Sequence, residues 1–462
     1  MKLNPKTLQA YNLFHKGALA LAKAERQGIR LDLDYCTKAT QELSDEIIKI
    51  EKELDETDFI KEWRKIQGSK FNLYSSNQLG KYLYDTLKYK AIKKTATGKG
   101  STDNEALTAL NIPEIKKYLR IKKLKKVRDT YLTGFTREAV DGMIHASFNL
   151  HNITTFRSGS SSPNLQNISK NDPETSKIIR SALFPRKGHQ LMEVDYSQIE
   201  VRVGAAIHKD PSMISYIKNP GTDMHRDTCV DIFKIPKWDS KSKYYKKLRG
   251  ITKGFVFSQF YGDYYVQCAE NLARNCQLPK GIWKENTGIM IDENTHLSNH
   301  LIEQGITCYQ EFENHLKEVE DIFWNVRFKI YTAWKKKTWN KYQKAGYIDM
   351  KTGFRCKGTM NRNEALNREI QGSSFHCLLW SFIRLTEIAE EEKWDTKLIA
   401  QIHDAIVFDV NPDELEHVLK TTKKVMCEDL KKHFKWINVP IDVEAEISPI
   451  DGSWYEVEGI KI

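Results

Sequence analysis

The sequence predicts an α+β protein whose main sheet is assembled from strands far apart in the chain. Three observations carry this. Helix-type spacing of apolar residues fills roughly the first 140 positions. Short β-compatible runs then appear, including "MIHASFNL" (143–150) and "QLMEVDY" (190–196), before aromatic-rich helical sequence takes over 210–345. After residue 396 the β-type runs return, in "KLIAQIHDAIVFDV" (397–410) and "VPIDVEAEI" (439–447).

The elements follow in order. Residues 8–27 read as an amphipathic helix that Gly28 ends. "ELSDEIIKIEKELDE" (42–56) reads as a second, highly charged helix. "FNLYSSNQLGKYLYDTL" (71–87) reads as a third, with Ser75 or Ser76 as its cap. "KKTATGKGST" (93–102) has no core-forming residues and is expected to be a solvated loop. Beyond Pro113 comes a basic helix. Leu119, Ile121, Leu124 and Val127 give it an apolar side, and eight cations face only Glu114 and Asp129 locally. Such a helix repels itself unless counterions or phosphates lie along it. Residues 277–305 fit no periodicity and are expected to form an inserted surface segment. No internal repeat is evident.

With 462 residues the chain is long enough for more than one core, and its 40% hydrophobic and 29% charged composition excludes global disorder. Lys and Arg outnumber Asp and Glu by 72 to 61, a net charge of +11. That balance suits a polyanionic partner, and equally a basic soluble enzyme. The eight cysteines include no C-x-x-C pair, which leaves zinc and redox motifs unsupported and free thiols expected. No segment has the character of a signal peptide or a membrane span, so a cytoplasmic protein is expected.

Within "LIAQIHDAIVFDV" (398–410) only His403 and Asp404 separate two β-type runs, which suits a tight hairpin. A simple hairpin with a polar turn accounts for this stretch alone. In "HQLMEVDYSQIEVRVGAAI" (189–207) a short apolar strand runs into Asp195, and a helix follows with Ser197 as a possible cap. Asp195 and Asp404 are thus each expected at the edge of a strand in one sheet. Two bare carboxylates at close range repel. Two divalent cations bridged by carboxylates remove that repulsion and suit in-line phosphoryl transfer. Oxygen ligands without His or Cys select Mg²⁺ or Mn²⁺.

"KKLRGITKGFVFSQFYGDYY" (246–265) adds Arg249, Lys253, Phe257 and Tyr261 at intervals of four, on one slowly turning helical face that Gly262 ends. Two cations followed by two aromatics match the order of a nucleoside triphosphate, an anionic tail and then a stacking base. A core stripe with incidental cations is the alternative.

Taken together these stretches resemble the polymerase module of family A DNA polymerases, the family of bacterial DNA polymerase I. "DYSQIE" (195–200) is similar to its first palm motif, and Arg249, Lys253, Phe257, Tyr261 and Gly262 to its fingers-helix motif. His403-Asp404 resembles its last palm motif, "RSGSSSPNLQNI" (157–168) its template-primer segment, and Gln371-Gly372 its later Gln-Gly step. The resemblance implies a right-hand fold with an antiparallel palm sheet, helical fingers and a helical thumb. It divides the chain into a lead-in helix (1–29), thumb (30–140), first palm part (141–215), fingers (216–340) and second palm part (341–462). It implies that Asp195, Asp404 and the Tyr196 backbone carbonyl hold two Mg²⁺ ions, and that Arg249, Lys253, His225 and Gln198 meet the dNTP. Lys253 would also protonate the leaving pyrophosphate. Glu200 would crowd a ribose 2′ position, Phe257 would discriminate against dideoxynucleotides, and Tyr261 would stack at the templating position. Arg157, Asn167, Gln371 and His403 would touch the primer-template minor groove.

The chain departs from the family pattern at three places. Ala405 stands where a second acid is usual, the Arg-rich turn near "TGFRCKG" is reduced to Arg355 and Lys357, and Ser169 replaces a common Pro. Fewer than thirty residues precede the matched region, so no 3′→5′ exonuclease is expected in this chain. The expected activity is DNA-directed DNA synthesis by a monomer, in phage or plasmid replication, with a separate exonuclease or helicase-primase as partner. The alternatives are a repair or translesion polymerase, or a catalytically silent primer-template-binding subunit.

Overall fold

A five-stranded antiparallel sheet anchors the structure. In spatial order its strands are Lys397–Ile402, Ala405–Val410, Gln190–Tyr196, Val443–Ile447 and Glu458–Ile460. The computed structural model describes residues 4–95, 97–168 and 172–462, and the backbone but not the side chain of Tyr261. The mixed helix-and-sheet class read from the sequence is therefore observed, and the sheet does join distant segments, the mid-chain strand Gln190–Tyr196 with four strands from the C-terminal part.

The central strand is apolar because both its faces are covered; Leu191, Met192 and Val194 are fully buried. On one face lies the long helix Arg362–Glu391, whose N-terminus carries a reciprocal capping box between Asn361 and Glu364. The Tyr196 hydroxyl ties strand to helix through Ser381 Oγ (2.8 Å) and donates to the Met426 carbonyl (3.1 Å). On the other face Glu193 is buried with Arg180 (3.5 Å) and accepts from the Trp454 indole (3.3 Å), while Arg180 lies over the Trp454 ring. A buried pair of this kind persists because its charges are neutralised locally.

Residues 8–27 form the expected helix, ended by Gly28 at φ +68°. Ser75, not Ser76, caps the third predicted helix by accepting from the Gln78 amide. Several expectations need correction. The runs in 143–150 are strands, but they stay outside the main sheet: Met143–Ile144 pairs with Ile29–Leu31, and Ser147–Asn149 with Gly159–Ser161. Residue alternation marks a strand without specifying its partner. Ser197 does not cap the following helix. Its amide donates to the Asp442 carbonyl, and Gln198 takes the cap position in left-handed conformation at φ +53°. Residues 277–305 are not a mere surface insertion, since Trp283, Ile289, Ile291, Leu297 and Leu301 pack into the core.

Three cations of the basic helix Pro113–Lys125 are paired with acids from outside its own sequence. Lys117 pairs with Glu53 (2.7 Å), Arg120 with Glu46 (2.8 Å) and Glu174 (2.5 Å), and Lys123 with Asp172 and Glu174 (both 2.8 Å). Arg120 and Lys123 hold the Glu174 carboxyl down at about 2. Lys116 and Lys126 remain exposed. The 93–102 segment is also pinned, through a bridge between Lys94 and Gly100 and a bond from the Tyr84 hydroxyl to the Ser101 carbonyl (2.5 Å). Among the described residues no helix is long and apolar enough to cross a membrane.

Gly372 sits where the long helix meets the 154–156 backbone. A Cβ there would lie 2.8 Å from the Thr155 carbonyl oxygen and 2.7 Å from Met350 Sδ. Gly372→Ala is expected to cost roughly 1–3 kcal/mol by overpacking, read as a lower urea midpoint; an unchanged midpoint would show that the approach relaxes freely.

Candidate active site

Pairing of the central strand with the hairpin fixes where the two aspartates stand. Ala405 lies directly opposite Asp195, and the Tyr196 amide donates to the Asp404 carbonyl at 3.1 Å. Asp195 therefore sits on the central strand, and Asp404 stands one residue out of step with it, just before the paired strand begins. Residues directly opposite in such a ladder have Cα atoms about 4.5–5.5 Å apart. Asp404 occupies the hairpin turn, entered through His403 at φ +50°. On the far side of the central strand Glu444 lies opposite Asp195, so Asp195 has an acid on one flank and Ala405 on the other.

Arg157 approaches from the segment before the central strand. Its guanidinium lies 3.1 Å from Glu200 and 3.5 Å from Asp404 Oδ1. The neighbouring Ser158 hydroxyl bonds to Gln401, and Gln166 Nε2 donates to Ser158 Oγ at 2.9 Å. Gln401 in turn donates to the His403 carbonyl at 2.6 Å. One buried amide thus ties the Arg157 segment to the aspartate hairpin.

The third contributor is the helix Lys243–Tyr261, ended by Gly262 at φ +95°. Leu248, Thr252, Phe255, Val256 and Gln259 form its buried side. Arg249 is half-buried, and Lys253 and Phe257 are exposed. This disposes of a core stripe as the explanation for the three. The Tyr261 side chain lies outside the described residues, as does Ser169. Gly262 has a contact of its own: Asn363 Nδ2 donates to its carbonyl at 3.4 Å.

Three cavities result. One of about 450 Å³ brings together Arg157, Gln198, Glu200, Phe257, Gln371, His403 and Asp404. A neighbour of about 410 Å³ shares Gln198 and Phe257 and adds His225 and Arg249. Asp195 borders a third, of about 340 Å³, with Glu193, Glu444 and Glu446. Lys253 lies one turn beyond Arg249 on the exposed helix face. Asn167 is exposed outside these cavities, and its carbonyl accepts from the Tyr131 hydroxyl at 2.7 Å. Arg355 is held by Asp349 (2.6 Å) and stacks on Tyr347.

Sequence reasoning missed Asn363 and Asn367. They precede Gln371 at intervals of four on the Arg362–Glu391 helix, and both border a further cavity of about 550 Å³ that shares Asn367 and Gln371 with the one at Asp404. The interval that exposed the cationic stripe was present here too. Gln166 and Gln401 carried no such signal, because their role depends on long-range packing.

Electrostatics fit a cation at Asp404. Burial pushes its carboxyl above the ordinary value, opposed in part by Arg157 and His403. Oδ1 is buried without a hydrogen-bond donor among the described residues, and Arg157 supplies the nearby positive charge. No group of three or more His, Cys, Asp or Glu side chains forms a metal cage among the described residues. His225 is pushed down to about 4, first by burial and then by Arg249, so its imidazole is neutral at pH 7.

The chain belongs to DNA polymerase family A, whose profile matches residues 34–456. It is 27% identical over 446 residues to DNA polymerase I of Bacillus subtilis, covering 96% of this chain and 45% of that protein. It is 28% identical over 443 residues to the thermostable DNA polymerase I of Thermus aquaticus, covering 92% and 46%. The chain thus spans about half the length of these relatives. In fold it is similar to the POL domain of Pol1 from M. smegmatis, solved in complex with DNA primer-template and dNTP, with a TM-score of 0.74 at 24% identity over 96% of this chain and 70% of that one.

Because the folded state favours the protonated Asp404 carboxyl, its ionisation costs stability as pH rises above the ordinary value of 3.8. Asp404→Asn is therefore expected to raise the melting temperature of the metal-free protein at pH 7. The gain should vanish below about pH 4, where the wild-type carboxyl is protonated in both states. A lower melting temperature for the variant at pH 7 would contradict the assigned burial cost.

Proposed function

We propose that this chain is a DNA-directed DNA polymerase that extends a primer 3′-OH with dNTPs. The observation that carries the reading is the bond from the Tyr196 amide to the Asp404 carbonyl, which sets the Asp404 turn against the end of the strand that carries Asp195, while Asp404 borders a cavity adjoining the one lined by Arg249 and His225. The DNA primer-template and dNTP in complex with the M. smegmatis POL domain are the substrate classes proposed here. The main sheet would serve as palm, the helices over 216–340 as fingers, and the basic helices before residue 140 as thumb.

The primer oxygen attacks the α-phosphate, the α–β anhydride bond breaks, and pyrophosphate leaves. Asp195 and Asp404, with the Tyr196 carbonyl, would hold two Mg²⁺ ions. When bound, these supply charge stabilisation for the attacking and leaving oxygens. Arg249 forks phosphate oxygens, and Lys253 adds a point charge and a proton for the departing pyrophosphate. The neutral His225 imidazole offers a donor beside the phosphates, and Gln198 borders the same space. Phe257 stacks on the sugar, while Glu200 crowds a 2′-hydroxyl. Arg157, Asn167, Gln371 and His403 face the minor groove. Arg157 must then exchange Glu200 and Asp404 for the DNA.

Ala405 favours a second reading, a primer-template-binding subunit without catalysis, since it leaves Asp195 one flanking acid fewer. Primer extension separates the two. Wild-type protein should extend, and Asp195→Ala or Asp404→Ala should lose roughly 10²–10³-fold or more of the rate. Tight primer-template binding with no incorporation by wild type would favour the second reading, and near-normal rates in either variant would refute the first. In the same assay Phe257→Tyr should increase dideoxynucleotide incorporation relative to deoxynucleotide; an unchanged ratio would remove Phe257 from the sugar site.

A further inference from the structure

Asp223 has no part in the assignments above, yet its two carboxylate oxygens do two separate jobs. Oδ1 accepts the Arg226 amide at 3.1 Å and caps the helix Met224–Phe233. Oδ2 accepts from Arg249 Nε at 2.6 Å. The acid is therefore fixed by its own backbone before it meets the arginine. It engages only the inner nitrogen of the guanidinium. Among the described residues neither terminal nitrogen of Arg249 has a hydrogen-bond acceptor, and the side chain borders the cavity that also holds His225. Two positions along, the His225 ring packs against Phe257 at 5.7 Å. The start of the Met224–Phe233 helix thus grips the Lys243–Tyr261 helix at two points, two turns apart.

We infer that Asp223 is a positioning residue for the incoming nucleotide: it fixes Arg249 by its Nε so that both terminal nitrogens face the last phosphate of a triphosphate. This rests on the polymerase reading proposed above. A long flexible side chain already held in its binding geometry loses less freedom when the ligand arrives. The planar guanidinium can serve one carboxylate and one phosphate at once, which a Lys ammonium at that position could not do with defined direction. The negative charge of Asp223 works the other way, since it repels a polyphosphate. Asp223 lines the same cavity, and the Arg249 guanidinium bonded to its Oδ2 offsets that charge. Burial works to raise the Asp223 carboxyl, but Arg249 and the Arg226 amide outweigh it and leave the group below its usual range, hence ionised at neutral pH.

The test uses Asp223→Asn, because Asn caps a helix about as well as Asp while losing the charge. Primer-template complexes of wild type and variant are compared for dNTP KM, kcat and melting temperature, and for binding of dNTP against dNDP. Expected is an unchanged melting temperature, a roughly 3- to 10-fold rise in dNTP KM with kcat retained, and loss of the same factor from the dNTP-over-dNDP preference. A purely structural role would weaken both nucleotides alike and leave that preference intact. In an Arg249→Lys background Asp223→Asn should change the preference no further; additive effects would mean that Asp223 does not act through Arg249. Equal or tighter dNTP binding by Asp223→Asn would overturn the inference and make Asp223 a competitor for Arg249. Absence of extension by wild type would instead count against the polymerase reading itself.

Discussion

The antiparallel register among the strands Gln190–Tyr196, Ala405–Val410 and Val443–Ile447 is the constraint on which the site depends. It sets Ala405 and Glu444 on either side of Asp195 and brings the Asp404 carbonyl to the Tyr196 amide. A slip of one residue would exchange the faces of every side chain on the moving strand. Such a slip is strongly opposed, because all six residues of Ala405–Val410 are buried. The apolar runs on each side of His403-Asp404 thus answer why a carboxylate stands between them: they clamp the hairpin so that its turn can carry an ionisable group at a defined place. Buried strands supply the precision, and the turn supplies the chemistry.

Around that register the polar groups form two linked sets. In one, Arg157 stands between Glu200 and Asp404, with its segment moored to the hairpin by Ser158, Gln166 and Gln401. The arrangement offsets the buried Asp404 charge. In the other set Asp223 and His225 hold the Lys243–Tyr261 helix at Arg249 and Phe257. Gln198 and Phe257 border both cavities and so join the sets. The C-terminal end of the same helix reaches the Arg362–Glu391 helix through Gly262 and Asn363, giving the cleft a third point of contact across its span.

Much of this was legible in the sequence because the strongest signals are local. The 8–27 helix, the 397–410 hairpin, the strand running into Asp195 and the stripe at Arg249, Lys253 and Phe257 each follow from periodicity and punctuation within a dozen or so residues. What was not legible depends on partners distant in the chain. The excess charge on the Pro113–Lys125 helix is relieved by Glu46, Glu53, Asp172 and Glu174, none of which its own segment reveals. Ser197 looked like a cap, but Asp442, 245 positions on (442 − 197), claims its amide. The strands of 143–150 alternate correctly yet pair elsewhere, since alternation is silent about partners. Asp223 escaped notice for a related reason: an acid before "MHRD" reads as an ordinary helix cap until the helix carrying Arg249 is folded against it.

The most direct measurement of the central claim is anomalous diffraction from crystals of the chain grown with primer-template, an incoming nucleotide and Mn²⁺. Two Mn²⁺ peaks are expected about 3.5–4 Å apart, with carboxylate oxygens of both Asp195 and Asp404 in their coordination shells. Peaks that engage only one of the two aspartates, or carboxylates that share no ion in a substrate-loaded complex, would contradict it.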